Sequence, residues 1–316
     1  MSRVVVLMGG RSSEHEVSLA SAGSVVASLR EQGHDVTTVE LARGERWLPD
    51  AATASAIESA DVVFPVLHGP FGEDGSVQGL LELADVPYVG AGVTASALAM
   101  DKDLFKSVLR DNGIPVTRNV TLRRSDESAN PFGYPVFVKP ARLGSSVGIS
   151  KAHDDDELAR AVALAFEHDE KVLVEEFVSG LEVEVGVLGN HEPTASLPGE
   201  IVVTNNEWYD YEAKYDEGEM DLVVPPRISP AQIARVRELA LAAFVAAECE
   251  GMARADMFVR NDGEVLVNEL NTIPGFTSTS VYAKLFEASG VSYGELLERL
   301  IALALERHER RSGLRY

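Results

Sequence analysis

Val4–Met8 is an unbroken apolar, β-branched run that stops at Gly9-Gly10, which predicts a buried first strand rather than a leader peptide. Ser13-x-x-Glu16 reads as a capping box, so a helix is expected from there to about Arg30, ended by Gln32-Gly33. Asp35–Leu41 and Val62–Leu67 read as the second and third strands, Val77–Leu83 as a helix and Pro87–Val89 as a short strand. A strand, Gly turn, helix and strand in succession predict a parallel α/β sheet.

Past about residue 95 the pattern changes. A helix runs from Asp101 to Asn112-Gly113, and a strand at Tyr134–Lys139 enters the Gly-rich turn Leu143-Gly-Ser-Ser-Val-Gly148 and returns as Ile149–Ala152. Asp154–His168 is a helix with its acids at the N-terminus, where they favour the dipole, and Lys171–Val178 and Glu182–Leu188 are strands. This predicts an antiparallel α+β unit. Residues 200–228 lose all periodicity and are polar and aromatic, as expected of a lid or binding loop. A helix (Pro230–Glu248), a hairpin (Ala253–Arg260 and Glu264–Leu270, turned by Asn261-Asp262-Gly263) and a last helix near Tyr293–His308 follow. Three units are expected, over residues 1–95, 96–180 and 181–316.

Composition narrows the function classes. The 316 residues are 45% hydrophobic and 25% charged, enough for a packed core and against disorder. No run of 18 apolar residues exists, and a lone Cys249 suits a reducing compartment, so a cytoplasmic setting is expected. A net charge of -22 repels nucleic acid and anionic lipid, so neither is expected as a partner. Only seven lysines occur, so an anion site must place its few ammonium groups carefully.

Four constellations carry candidate chemistry. Asp256, Glu269 and Asn271 lie on adjacent strands, the last two on one face by the period of two, and the tight turn brings Asp256 opposite them. Three hard oxygen donors in one place suit Mg²⁺, while the spacing alone also fits a solvated polar edge. Lys139, leaving a strand beside Gly144–Gly148, can cover nucleotide phosphates with backbone N–H groups and one ammonium, although the spacing is not that of a P-loop. Glu175 and Glu176, with Phe177, Val178 and Glu182, can hold a base amino group and ribose hydroxyls, or simply be wet. Glu14 and His68 follow the first and third strands, at the strand ends where open α/β sheets bind ligands.

Taken together, Gly9-Gly-Arg-Ser-Ser-Glu-His-Glu-Val-Ser18, Leu67-His-Gly-Pro-Phe-Gly-Glu-Asp-Gly75, Met100-Asp-Lys102, Tyr209-Asp-Tyr-Glu-Ala-Lys-Tyr215 and Asn268-Glu-Leu-Asn-Thr-Ile-Pro-Gly-Phe-Thr-Ser278 resemble the D-alanine–D-alanine ligase family of the ATP-grasp superfamily. The resemblance covers essentially the whole chain. It implies an ATP-grasp fold of mixed α/β and α+β class, with an N-terminal parallel α/β domain, a central domain bearing the Gly-rich loop and a C-terminal metal and nucleotide domain. It implies ligation of two D-alanines through an acyl phosphate, for peptidoglycan synthesis, with ATP and Mg²⁺. Mn²⁺ is an alternative metal, K⁺ an optional activator, and a homodimer the expected assembly.

The resemblance also implies roles. Glu14, with His68 nearby, holds the first ammonium; Ser145, Tyr215 and Glu14 form a bridge to the lid, in which Tyr211 also meets substrate. Arg254 and the Gly275 N–H stabilise the phosphoryl group and the oxyanion, and Ser280 binds the second carboxylate. Lys102, Lys139, Ser145, Ser146, Lys214, Asn268 and Glu269 meet ATP; Glu175, Phe177, Val178 and Glu182 line the adenosine site; Asp256, Glu269 and Asn271 hold the metal. Leu143 stands where some members carry an acid, and Phe276 where others carry Met. D-alanine–D-lactate ligases look altered around Tyr215, so that residue favours an amide product. A non-catalytic nucleotide-binding regulator would be expected to lack Arg254 or a metal ligand, and another carboxylate–amine ligase to lack Glu14, His68 and the Tyr-rich loop.

Overall fold

The structure, a computed structural model, describes residues 1–44, 49–124, 126, 130–145, 147–203 and 220–315. Three sheets follow one another along these residues. In the first, β1 (Arg3–Gly9) lies between β2 (Asp35–Leu41) and β3 (Val62–Pro65), all parallel. Both faces are covered, so β1 is apolar at successive positions: Val4 and Val6 pack with α1 (His15–Glu31), while Val5 and Leu7 pack with Ile57 of α2 (Ala51–Ser59) and with Val77 and Leu81 of α3 (Ser76–Leu83). The expected capping box at Ser13 and Glu16 does not form. The helix starts at His15, with Glu14 at the N-cap and no side-chain cap, because the Glu14 carboxylate is taken up elsewhere. The short strand expected at residues 87–89 is a single bridge, Val63 to Tyr88.

Next come α4 (Val93–Met100) and α5 (Lys102–Asp111), the latter capped by Asp101, whose side chain accepts from the Leu104 N–H. The second sheet is antiparallel, ordered β4 (Asn119–Arg123), β7 (Lys171–Glu176), β5 (Val136–Pro140), β6 (Ser150–Ala152). Val136 and Val138 of β5 and Val172 and Val174 of β7 pack on α6 (Asp155–His168). By the period of two, Phe137, Lys139 and Glu175 then turn to the opposite face.

The third sheet contains β8 (Gly180–Gly189), β9 (Thr194–Ala195), β10 (Gly199–Val203), β11 (Met220–Val223), β12 (Gly251–Arg260) and β13 (Val265–Asn271), all antiparallel. Residues 200–203 and 220–223 are therefore paired strands, which corrects the expectation of an aperiodic loop across 200–228; residues 204–219 lie outside the described ones. The Glu-Val-Glu-Val alternation of β8 sends Val183 and Val185 into a core with Ala253, Ala255 and Met257 of β12 and with Leu239, Ala243 and Phe244 of α7 (Pro230–Ala246). Burying each large side chain contributes about 1.5–3 kcal/mol. The same core takes in Ala95, Ala99, Phe105 and Leu109 of α4 and α5. Two more helices, α8 (Val281–Ala288) and α9 (Tyr293–Ser312), close the chain, and α9 packs back on the first sheet through Leu297, Leu300 and Ile301. No described helix is long and apolar enough to cross a membrane.

Candidate functional site

A cleft of about 450 Å³ opens between the second and third sheets. The face of the second sheet not used by α6 supplies Phe137, Lys139 and Glu175; the connection between β7 and β8 supplies Phe177 and Val178; the third sheet supplies Glu182, Phe258, Asn268 and Glu269. Phe177 stays partly exposed, with the Phe137 ring 6.3 Å away and the Lys151 ammonium 5.0 Å from its centroid. A flat aromatic edge beside acids and ammonium groups suits a planar base on a polyanion. Glu200, also lining the cleft, is buried and bound by Arg227, whose hydrogen bonds hold its carboxyl below the ordinary range.

Three lysines here, Lys102, Lys106 and Lys139, are buried and each has an acid. Lys139 pairs closely with Glu175, which also accepts from the fully buried Lys106; Lys106 in turn bonds Thr117. Burial pushes the Glu175 carboxyl up, but the charges of Lys106 and Lys139 outweigh it and hold the group below its ordinary range. Burial also lowers Lys106, to about 8, against the pull of Glu175. Lys102 donates to the Leu143 carbonyl at 2.8 Å and stands 3.4 Å from Glu269.

On β12 and β13, Asp256 faces Glu269 and Arg254 faces Asn271 in register, while a bulge between Asp256 and Met257 leaves Asn268 without an opposite residue. Asp256, Glu269 and Asn271 thus share one face, as the period of two predicts. Asn271 donates to Asp256 at 2.9 Å, and Arg254 grips Asp256 with Nε and Nη2, both at 2.7 Å. Glu184, opposite Asp256 on β8, reaches Arg254 Nε at 2.9 Å. Among the described residues no three His, Cys, Asp or Glu side chains form a metal-binding group. The set is instead two carboxylates and an amide, and the Asn268 Oδ1 nearby is buried with no hydrogen-bond partner among the described residues. All-oxygen donors of this kind fit a hard divalent cation rather than a thiophilic or imidazole-seeking one.

The third cluster joins the first sheet to the other two. Ser145, in left-handed backbone at φ 50°, donates its hydroxyl to Glu14. Glu14 is boxed by glycines: a Cβ on Gly69 would lie 2.6 Å from its Oε2, and one on Gly144 3.2 Å. The His68 Nδ1 faces the Ile273 carbonyl at 2.8 Å and its Nε2 the Ser21 hydroxyl at 3.4 Å, and burial pushes the imidazole down against the nearby Glu14 charge. Ser21 accepts the Phe276 N–H at 3.1 Å, while Glu73 accepts the Gly69 and Ile273 N–H groups at 3.2 and 3.3 Å. Burial, with the Glu14 charge second, raises the Glu73 carboxyl to about 8. Gly275 stands against Ser280, whose Oγ accepts the Thr277 N–H at 2.9 Å.

Of the residues singled out from the sequence, Glu14, His68, Ser145, Arg254, Gly275 and Ser280 thus belong to the two clusters beside the cleft, and Lys102, Lys139, Glu175, Phe177, Val178, Glu182, Asn268 and Glu269 line or border it. Ser146, Tyr211, Lys214 and Tyr215 lie outside the described residues. Sequence reasoning gave no role to Lys106, Glu184, Glu200 or Arg227, nor to Glu73 by itself. Two local signals existed: Lys106 is one helical turn from Lys102, and Glu184 shares a strand face with Glu182.

Residues 108–302 match the family model described as the D-ala D-ala ligase C-terminus, and residues 3–60 and 48–91 match that of the N-terminus. The D-alanine–D-alanine ligase of Deinococcus radiodurans is 48% identical over 96% of this chain and 98% of its own, and that of Solibacter usitatus 46% over 99% and 98%. Among solved structures, the D-alanine–D-alanine ligase of Coxiella burnetii superposes with a TM-score of 0.86 at 36% identity, covering 98% of this chain and 95% of that one. The VanG D-Ala:D-Ser ligase of Enterococcus faecalis gives 0.84 at 35%, covering 96% and 99%.

Proposed function

We infer, since this chain belongs to the D-alanine–D-alanine ligase family, that its cleft and the two clusters beside it act in one reaction. The chain is an ATP-dependent ligase that joins two D-alanines into the dipeptide used in peptidoglycan synthesis. The observation that carries the assignment of residues is a continuous path. Glu269 of the cleft stands 3.4 Å from Lys102, Lys102 donates at 2.8 Å to Leu143, and Ser145, two residues on, holds Glu14. Nucleotide phosphates bound near Lys102 would therefore lie beside an amino acid bound at Glu14.

In this reading ATP lies in the cleft with its base against Phe177 and Val178, its ribose at Glu182 and its phosphates at Lys139 and Lys102. Glu14 holds the ammonium of the first D-alanine, and Ser145 fixes the Glu14 rotamer. The substrate carboxylate oxygen attacks the γ-phosphorus, and ADP leaves, giving an acyl phosphate. The amine of the second D-alanine then attacks the acyl carbon, the C–O bond to phosphate breaks, and the proton lost from the amine leaves with the phosphate. Arg254 and the Gly275 N–H stabilise charge on the phosphoryl group and on the tetrahedral oxygen. Ser280 binds the second carboxylate. His68, Ser21 and Glu73 position the backbone around Ile273 and Phe276, and so the Gly275 N–H. Asp256, Glu269 and Asn271 would hold Mg²⁺, which when bound supplies Lewis-acid neutralisation of the phosphate oxygens. Residues 204–219, with Tyr211, Lys214 and Tyr215, would exclude water from the acyl phosphate.

A cytoplasmic setting follows from the need for ATP and agrees with a single buried cysteine; the family resemblance supports a homodimer. The test is phosphate release from ATP and Mg²⁺ with product identification, using D-alanine, L-alanine, and D-alanine mixed with D-lactate or D-serine. Release with D-alanine, yielding the D-alanine dipeptide even in the mixtures, is expected. A dominant ester or mixed dipeptide would overturn the substrate assignment, and no release would overturn the reaction.

A further inference from the structure

Lys106 has no place in the reaction as assigned, yet it carries a charge where burial disfavours one. Its ammonium is fully buried on α5, does not line the cleft, and ends between Thr117 and Glu175. Packing does not require a charge there. Burying an ammonium is costly without a strong partner.

The partner explains it. Glu175 uses one carboxylate oxygen for Lys106 and the other for Lys139, so a single buried acid is held between two cations from different elements. One of those cations has a second task. Lys139 lines the cleft, and a triphosphate bound there competes with Glu175 for its ammonium. Without another cation, releasing Lys139 would leave Glu175, only 3% exposed, as an uncompensated buried charge. Thr117 is fixed by backbone bonds of its segment to Val267 of β13, so Lys106 is anchored to the third sheet while it holds an acid of the second.

We propose that Lys106 is a positioning residue for nucleotide binding, which keeps Glu175 charged and fixed while Lys139 exchanges that carboxylate for phosphate. The proposal rests on the cleft being the ATP site. Remove Lys106, and Lys139 is retained by Glu175 and withheld from the nucleotide. The effect therefore falls on ATP and not on D-alanine, and it runs through Glu175.

The experiment is calorimetric titration of the full-length chain with ATP and Mg²⁺, without D-alanine, for wild type, Lys106→Met, Glu175→Gln and the double variant, with thermal melts of each. Lys106→Met is expected to weaken ATP binding at least tenfold while the KM for D-alanine stays within twofold, and Lys106→Arg to restore part of the loss. The double variant is expected to bind ATP within twofold of Glu175→Gln alone. A folded Lys106→Met that binds ATP like wild type, beside a weakened Glu175→Gln, would overturn the proposal and leave the cleft assignment standing. Wild-type affinity in all variants would overturn the cleft assignment itself. Should Lys106→Met fail to melt cooperatively, the other pair decides: a further tenfold loss from Glu175→Gln to the double variant would mean that Lys106 acts by another route.

Discussion

Ser145, on the Gly-rich turn of the second sheet, donates its hydroxyl to Glu14, at the C-terminal mouth of the first sheet, across 131 positions of chain. This bond makes the nucleotide side and the amino-acid side of the site depend on each other. Ser145→Ala removes a hydrogen bond to a carboxylate, worth about 1.5–3 kcal/mol. We expect kcat/KM for D-alanine to fall by about 10- to 100-fold, with a smaller rise in the KM for ATP. Gly69→Ala reaches the same carboxylate from the other side, since its Cβ would lie 2.6 Å from Glu14 Oε2 in a backbone at φ 73°. It should raise the KM for D-alanine further. Steady-state kinetics in each substrate separately check both.

Glu73 predicts a pH signature in stability. Its carboxyl is raised to about 8 in the folded chain, from an ordinary value of 4.5, by burial and then by Glu14. Between those pH values the folded state binds the proton that the unfolded state has lost, so stability contributed by Glu73 is full at low pH and declines as pH rises through the window. The decline is bounded by about 1.4 kcal/mol per pH unit. Glu73→Gln abolishes the titration and keeps an acceptor for the Gly69 or Ile273 N–H. Urea midpoints at pH 5, 6.5 and 8 should therefore fall more steeply for wild type than for the variant; parallel slopes would refute the assignment.

The parts of this site that were legible in the sequence are those set by local periodicity. The period of two puts Glu269 and Asn271 on one face, and a tight turn puts Asp256 opposite, as the register has it. Three kinds of feature were not legible. The helices Ala51–Ser59, Val93–Met100 and Val281–Ala288 are short, and the first two are rich in small residues without a clear polar face, so their pattern is weak and packing decides them. The Glu14 N-cap was misread as a Ser13 capping box, because the sequence cannot show that Ser145 recruits the carboxylate. The ion pairs of Lys106 with Glu175 and of Arg254 with Glu184 join strands and helices remote in sequence, where only the topology decides which charges meet.

The metal set makes a third prediction. Glu269→Gln keeps the shape of the side chain but removes one of two carboxylates from the set and the counter-charge 3.4 Å from Lys102. We expect the Mg²⁺ concentration for half-maximal phosphate release to rise more than about 10-fold and turnover to become very low. Melting temperature should stay close to wild type, because the group is partly exposed in the ligand-free chain. Titrating Mg²⁺ against activity and melting point together separates loss of metal from loss of fold. An unchanged Mg²⁺ requirement would remove Glu269 from the metal set.

Arg254 gives the last prediction, because two acids compete for it. Its fork takes Asp256 at 2.7 Å twice and Glu184 at 2.9 Å once, and all three groups are largely buried. Lysine in its place keeps the charge between the acids but offers no planar pair of donors to a phosphoryl or carboxyl oxygen. Arg254→Lys should therefore melt near wild type and bind ATP within a few-fold, while single-turnover phosphate release slows by about 10²- to 10³-fold. Arg254→Ala differs in kind. It leaves Asp256 and Glu184 as neighbouring buried acids without that cation, at a cost of about 3–5 kcal/mol. Since Asp256 is a proposed metal ligand, added Mg²⁺ should recover part of the lost melting temperature in Arg254→Ala and little in Arg254→Lys. Equal Mg²⁺ responses in the two variants would show that Arg254 and the metal do not share Asp256.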